Sequence, residues 1–108
     1  MSAFAAPLIP GKVDTWESFI GDLNGSRKAE FDDFNSRYGL TQHNAYLQGN
    51  PDGSHLVIVV VDGPGADSFM SRVGESEHPF DQWFVNNVAE VHGIDMRGPV
   101  PPMPKQLL

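Results

Sequence analysis

Six consecutive apolar residues, Leu56-Val-Ile-Val-Val-Val61, stand between two turn signals, Asn50-Pro-Asp-Gly53 ahead of them and Asp62-Gly-Pro-Gly65 behind. Four of the six are valine, and a run this short and β-branched suits a strand. A strand with one face in water alternates apolar and polar residues. This one does not, so both of its faces are expected to be covered. Thr41 to Gln48 reads as a second strand and its partner. Pro51 would fix φ in the connecting turn and Gly53 would accept positive φ at its end. The pair predicts a β-hairpin, Thr41–Gln48 with Ser54–Asp62.

Ahead of the hairpin, Ala3 to Ile9 is a short apolar run closed by Pro10-Gly11, a first strand whose Pro7 suits an edge. Asp14-Thr-Trp-Glu17 has the form of a capping box. Trp16, Phe19, Ile20, Leu23, Phe31, Phe34 and Tyr38 then keep one helical phase, with Arg27 on the same stripe. Gly25-Ser26 predicts a kink in this helix, and Gly39 its end. Behind the hairpin, a helical region is expected from Pro64, carrying Phe69, Met70 and Val73 and closed by Gly74. A further helix runs from Pro79 to Gly93 on Phe80, Trp83, Phe84, Val88 and Val91. Ile94 to Arg97 is long enough for one short strand. Gly98 to Pro104 holds four prolines and is expected to be extended. The expected organisation is one domain over residues 1–97 and a proline-rich tail over 98–108.

Strand, helix, strand, strand, helices, strand is the βαββαβ order of an α+β, ferredoxin-like fold, an antiparallel sheet with helices on one face. The other face is then open, and a chain of 108 residues has too few elements left to cover it. A second copy is the simplest cover, so a homodimer is expected. The alternative is that the proline-rich tail folds over that face.

With Asn50–Gly53 as the loop, Gln48 faces His55. One face then carries Thr41, His43, Ala45 and Leu47 with Leu56, Ile58 and Val60, and suits the helices. The other carries Gln42, Asn44, Tyr46 and Gln48 with His55, Val57, Val59 and Val61. A bulge at Gly53 would shift this register by one. As it stands, the second face is half polar and suits the wall of a cavity. His55 would be a general base beside the Tyr46 phenol, with Asn44 and Gln48 to orient a small organic molecule. The alternative is a polar network within the dimer interface. His78, in the break before Pro79, and Trp83, off the main stripe of its helix, are further candidate ligand contacts, although Trp83 also suits the core. His92 fits a helix C-terminus, and Arg27 suits a carboxylate partner or a snorkelling pose.

Net charge is −7, from 7 basic and 14 acidic residues. That disfavours nucleic acid and anionic membrane surfaces, both of which need clustered Lys and Arg. There is no cysteine, which excludes disulfides and thiolate chemistry. The N-terminus has no basic residue ahead of its apolar run, unlike a signal peptide, and no run is long enough to span a bilayer. A cytoplasmic location is the expectation. No metal or cofactor is expected either. His43 lies opposite a residue five positions, or roughly 17 Å, from His55, and His78 and His92 are about 21 Å apart along one helix. Phosphate loops, dinucleotide fingerprints and nucleophile elbows are missing.

Several motifs also resemble an uncharacterised bacterial family. They are Pro10-Gly-Lys12, Glu30-Phe31 and Ser36-Arg37, Leu47-Gln48 before the Asn50-Pro-Asp-Gly53 turn, and Pro79-Phe-Asp-Gln-Trp-Phe84 followed by His92-Gly93. The family looks like part of the dimeric α+β barrel superfamily, which includes antibiotic-biosynthesis-monooxygenase-like proteins. The resemblance implies two ferredoxin-like subunits whose sheets face each other around a barrel. It implies no single activity, because that superfamily holds cofactor-free oxygenases, haem-degrading enzymes and isomerases. Three readings follow. The first is a small apolar ligand bound with cofactor-free monooxygenase- or isomerase-like chemistry. The second is a non-catalytic interaction module with a filled barrel. The third is a haem-binding protein.

Overall fold

The computed structural model describes residues 1–100 and 102–108. Its elements are β1 (Ser2–Pro7), α1 (Val13–Asn24), α2 (Lys28–Arg37), β2 (Gln42–Gly49), β3 (His55–Asp62), α3 (Phe69–Gly74) and α4 (Pro79–His92). The strands form an antiparallel sheet in the order β1-β3-β2. The all-apolar strand therefore takes the centre, where neighbours flank it on both edges. The chain is α+β, as its pattern of periods predicts.

The fourth strand expected over Ile94–Arg97 does not form. Met96 is buried in the core, and its carbonyl lies so close to Gly74 that a Cβ there would collide with it. This segment is held against the end of α3 by its apolar side chain, so its backbone is not available to β1. The described tail residues have no regular structure, and Val100 and Met103 pack on the core. The extension expected at Pro101 lies outside the described residues.

The predicted kinked helix is two helices. Residues 25–27 form turns, and Arg27 N–H reaches back to the Asp22 carbonyl at 2.8 Å. The apolar stripe nevertheless holds its phase, burying Trp16, Phe19 and Leu23 from α1 and Phe34 from α2. Asp14 does not cap α1. The N-cap is Lys12, and Asp14 lies inside the first turn, where its charge suits the helix dipole. The helix expected from Pro64 begins only at Phe69, because residues 64–68 form turns. Gly65 N–H donates to the Gly39 carbonyl at 3.1 Å, and Thr41 N–H donates to Asp62 at 2.8 Å. A Cβ on Gly65 would strike the Tyr38 carbonyl. The Gly63-Pro-Gly65 segment thus clasps the turn between α2 and β2.

The hairpin register is shifted by one from the expected pairing. Gly53 N–H donates to Asn50 and Asn50 N–H to Ser54, at 3.0 and 2.8 Å, with Gly53 at φ 89. A turn followed by a left-handed glycine is a bulged hairpin connection. Asp52 reinforces it by accepting from Ser54 N–H and Oγ–H at 2.9 and 2.6 Å. Gly49 consequently pairs with His55 and Gln48 with Leu56. Val57, Val59 and Val61 face the helices with Phe4, Ala6, His43 and Ala45. Leu56, Ile58 and Val60 face outward with Ala3, Ala5, Asn44 and Tyr46.

The helices are tied by Asp81 on α4, which has no solvent exposure. Arg37 donates to its two oxygens at 2.9 and 2.7 Å, Tyr38 Oη–H at 2.6 Å and Ser76 Oγ–H at 2.7 Å. Burial alone would push this carboxyl up, but the hydrogen bonds from Arg37, Tyr38 and Ser76 together hold it at about 2, against an ordinary 3.8. The folded value is the lower one, so this stabilisation is complete above about pH 4 and is lost as pH falls through about 2. Asp81→Asn should lower unfolding free energy in urea by about 3–5 kcal/mol at pH 7. The same variant should flatten the loss of stability between pH 4 and 2.

Candidate functional site

Between the sheet and the helices lies a partly enclosed cavity of about 280 Å³. Phe4, Ala6, Val57 and Val59 form its floor, Trp16, Phe19 and Leu23 of α1 one wall, and Phe84 and Val88 of α4 another. Its residues include Asn24 and Ala45, both exposed, so the mouth lies between the end of α1 and β2. No Asp, Glu, Lys or Arg borders it. The titratable groups among its lining residues are His43 and His92.

His43 is placed by the alternation of β2, one step from Asn44 and two from Ala45. Its ring is held by aromatic neighbours on α2, α3 and α4, with centroids 5.1 Å from Phe31, 5.8 Å from Phe69 and 6.4 Å from Phe34 and from Phe84. Nδ1 lies 3.0 Å from Asn35 Oδ1, an acceptor, so Nδ1 carries the proton and donates. Nε2 then presents a lone pair. It has no hydrogen-bond partner among the described residues, yet no buried polar side-chain atom is sealed without one. Nε2 is therefore not sealed, and His43 is among the residues that line the cavity. Burial pushes the imidazole down to about 4, from an ordinary 6.5.

His92 ends α4, followed by Gly93 at φ 70 as a left-handed cap, as its position in the sequence predicts. Nδ1 sits 2.9 Å from the Pro7 carbonyl, to which it donates. Burial lowers its pKa too, against a smaller opposite effect of that bond. Pro7 pairs with Leu56, and Leu56 with Gln48, which is five residues, or roughly 17 Å, along β2 from His43. The two histidines thus sit toward opposite ends of the cavity. Among the described residues no group of three or more His, Asp or Glu side chains could hold a metal ion.

The register separates the residues that sequence reasoning had placed together. Tyr46, Asn44 and Gln48 lie on the outward face, where Tyr46 is 56% exposed. Gln42 Nε2–H donates to Asn44 Oδ1 at 2.7 Å, and Gln48 Nε2–H to Asn50 at 3.3 Å. His55 lies on the helix-side face at the far end of β3. There it borders a groove between the hairpin turn and the residues after β1, with Leu8, Ile9 and Val13. Asn44 is among the residues lining the cavity although it lies on the outward side of β2. His78 is the N-cap of α4, its Nδ1 accepting from Phe80 N–H at 3.2 Å. Trp83 packs on Phe19 and Phe80 with Arg27 4.3 Å over its ring, and is not part of the cavity lining. Arg27 also pairs with Glu30 at 3.2 Å, the carboxylate partner its place on the stripe called for.

The residue that sequence reasoning passed over is His43. Its signal was present: it is the one ionisable side chain in the alternating set Thr41, His43, Ala45, Leu47 that faces the helices. Comparison with protein-family models, with curated proteins and with solved structures found no match to this chain. No helix among the described residues is long and apolar enough to cross a membrane.

In an NMR titration, His43 should take up its proton near pH 4 rather than near 6.5. The unfolded chain then binds that proton first, so stability should fall as pH drops from about 6.5 to about 4. The loss should reach up to about 3 kcal/mol, with His92 acting in the same direction. His43→Phe should remove the larger part of that slope in urea unfolding.

Proposed function

We propose that this chain binds a small, largely apolar organic molecule in the cavity between its sheet and its helices. The observation that carries the reading is that cavity: about 280 Å³ lined mostly by apolar side chains, with the imidazoles of His43 and His92 toward its two ends and that of His43 uncharged at neutral pH. Ligand sites combine such a lining with few polar groups, and an enclosed apolar cavity of roughly 150 Å³ already admits benzene. This volume suits one or two fused rings. The monooxygenase- or isomerase-like chemistry implied by the resemblance would run in the same space, with His43 in place of His55 as proton acceptor.

The homodimer belongs to the same proposal. In a single chain the outward face carries Leu56, Ile58 and Val60 half-buried, with Ala3 and Ala5 exposed on one side and Tyr46 on the other. Two copies related by a two-fold axis would set the large Tyr46 of each over the small alanine row of its partner. Such self-complementarity is what a two-fold interface requires. The barrel of the dimeric α+β superfamily is this face-to-face arrangement, with a ferredoxin-like order in each subunit. The sheet order β1-β3-β2 supports it without supplying its fourth strand.

Naphthalene titrated into the chain in a calorimeter should bind with a dissociation constant on the order of 10 µM. Val59→Phe, which fills the cavity from a strand position that tolerates an aromatic residue, should weaken it at least tenfold with the circular dichroism spectrum unchanged. Equal binding by both proteins would sink the cavity reading. Independently, light scattering should give twice the chain mass, and Ile58→Asp should halve it.

A further inference from the structure

The polar end of the cavity specifies what its ligand must carry. His43 Nδ1 is committed to Asn35 Oδ1 at 3.0 Å, so the ring offers only the Nε2 lone pair, an acceptor. That lone pair meets no donor among the described residues, and a ligand that supplies one gains affinity and orientation together. A charged ligand is excluded by the rest of the lining. No acidic or basic residue other than the two histidines borders the cavity, and an ion moved there would lose its hydration for no partner. An anion would in addition meet the Nε2 lone pair.

Resting on the cavity reading above, we propose that the ligand is a neutral one- or two-ring molecule bearing a single hydroxyl, whose O–H donates to His43 Nε2 while its rings lie against Trp16, Phe19 and Val59. The ring of His43 is fixed on several sides by Phe31, Phe34, Phe69 and Phe84, so the acceptor is preorganised rather than recruited. The hydroxyl also sets the direction of entry. Its carrier must reach inward past Asn24 and Ala45 with the donor on the side of β2.

Three probes of one ring system separate this from the parent reading: naphthalene, 1-naphthol and 1-methoxynaphthalene, each titrated calorimetrically. 1-Naphthol should bind about tenfold more tightly than either of the others. His43→Phe should reduce 1-naphthol to the affinity that the same variant shows for naphthalene. Equal affinities for all three on the native chain, or a preference for the methyl ether, would overturn the hydroxyl proposal and leave the cavity reading standing. Binding of none of them overturns both. Should His43→Phe fail to fold, the native chain still decides. A long-range proton–nitrogen spectrum should show Nε2 of His43 unprotonated, and a protonated Nε2 would overturn the proposal.

Discussion

Asp81 has no contact with solvent, and its two oxygens accept four hydrogen bonds, from Arg37, Tyr38 and Ser76. These donors come from the end of α2, the residue after it and the segment ahead of α4. A carboxylate taken out of water is tolerable only when its lone pairs are filled and a cation stands beside it. Here the geometry meets both conditions, with a two-pronged guanidinium contact. Arg37 is in turn held by Asp33 at 2.8 Å, and the Asp81 contact raises its own pKa. The consequence is directional. α2 and α4 are fixed relative to each other at one point, and Phe34, fully buried between them, packs on Phe80 and Phe84 with centroids 5.6 and 4.8 Å away.

That fixed helical layer explains how a small domain can keep a cavity. A cavity forfeits dispersion contacts that close packing would make. Ordinary packing would close it by moving the helices toward the sheet. The Asp81 cluster fixes α2 against α4, so that the two could move only together. On the opposite side, Ile9 N–H donates to Val91 at 2.9 Å and His92 to Pro7 at 2.9 Å, holding α4 to the start of the chain. The small side chain of Ala6 leaves the floor low, and that of Ala45 leaves the mouth open.

Most of the elements were legible because each is written in a local period. The phase of Trp16, Phe19, Leu23 and Phe34 survives a break of the helix at 25–27, since helix spacing and burial depend on which residues point inward and not on continuity. The register of the hairpin was not legible in the same way. Asn50-Pro-Asp-Gly53 announces a turn, but whether Gly53 ends a loop or forms a bulge changes the count by one residue, and one residue turns β3 over relative to β2. The apolar run offers no correction, because Leu56 to Val61 is equally apolar on its two faces. That single ambiguity moved His55 away from Tyr46, while His43 kept the helix-side face that the alternation of β2 gives it. The fourth strand failed for a tertiary reason. Ile94-Asp-Met-Arg97 has the length of a strand, but the close approach of Met96 to Gly74 is a long-range contact that no local pattern encodes.

The corrected register also separates two roles that the sequence alone had joined on one surface. Val57 and Val59 turn inward to line the cavity, while Leu56, Ile58 and Val60 turn outward on the face assigned to the partner copy. The two sets alternate along the same strand, so they share a backbone but no side-chain surface. In the proposed dimer, a change at an outward position would alter association without touching the cavity wall. A change at an inward position alters the cavity without touching the partner. Coupling between association and ligand binding would then have to pass through displacement of β3 itself. β3 is the central strand, bonded on both edges, and is the element of this sheet least free to move. Ligand binding and dimerisation in this architecture are for that reason expected to be thermodynamically independent.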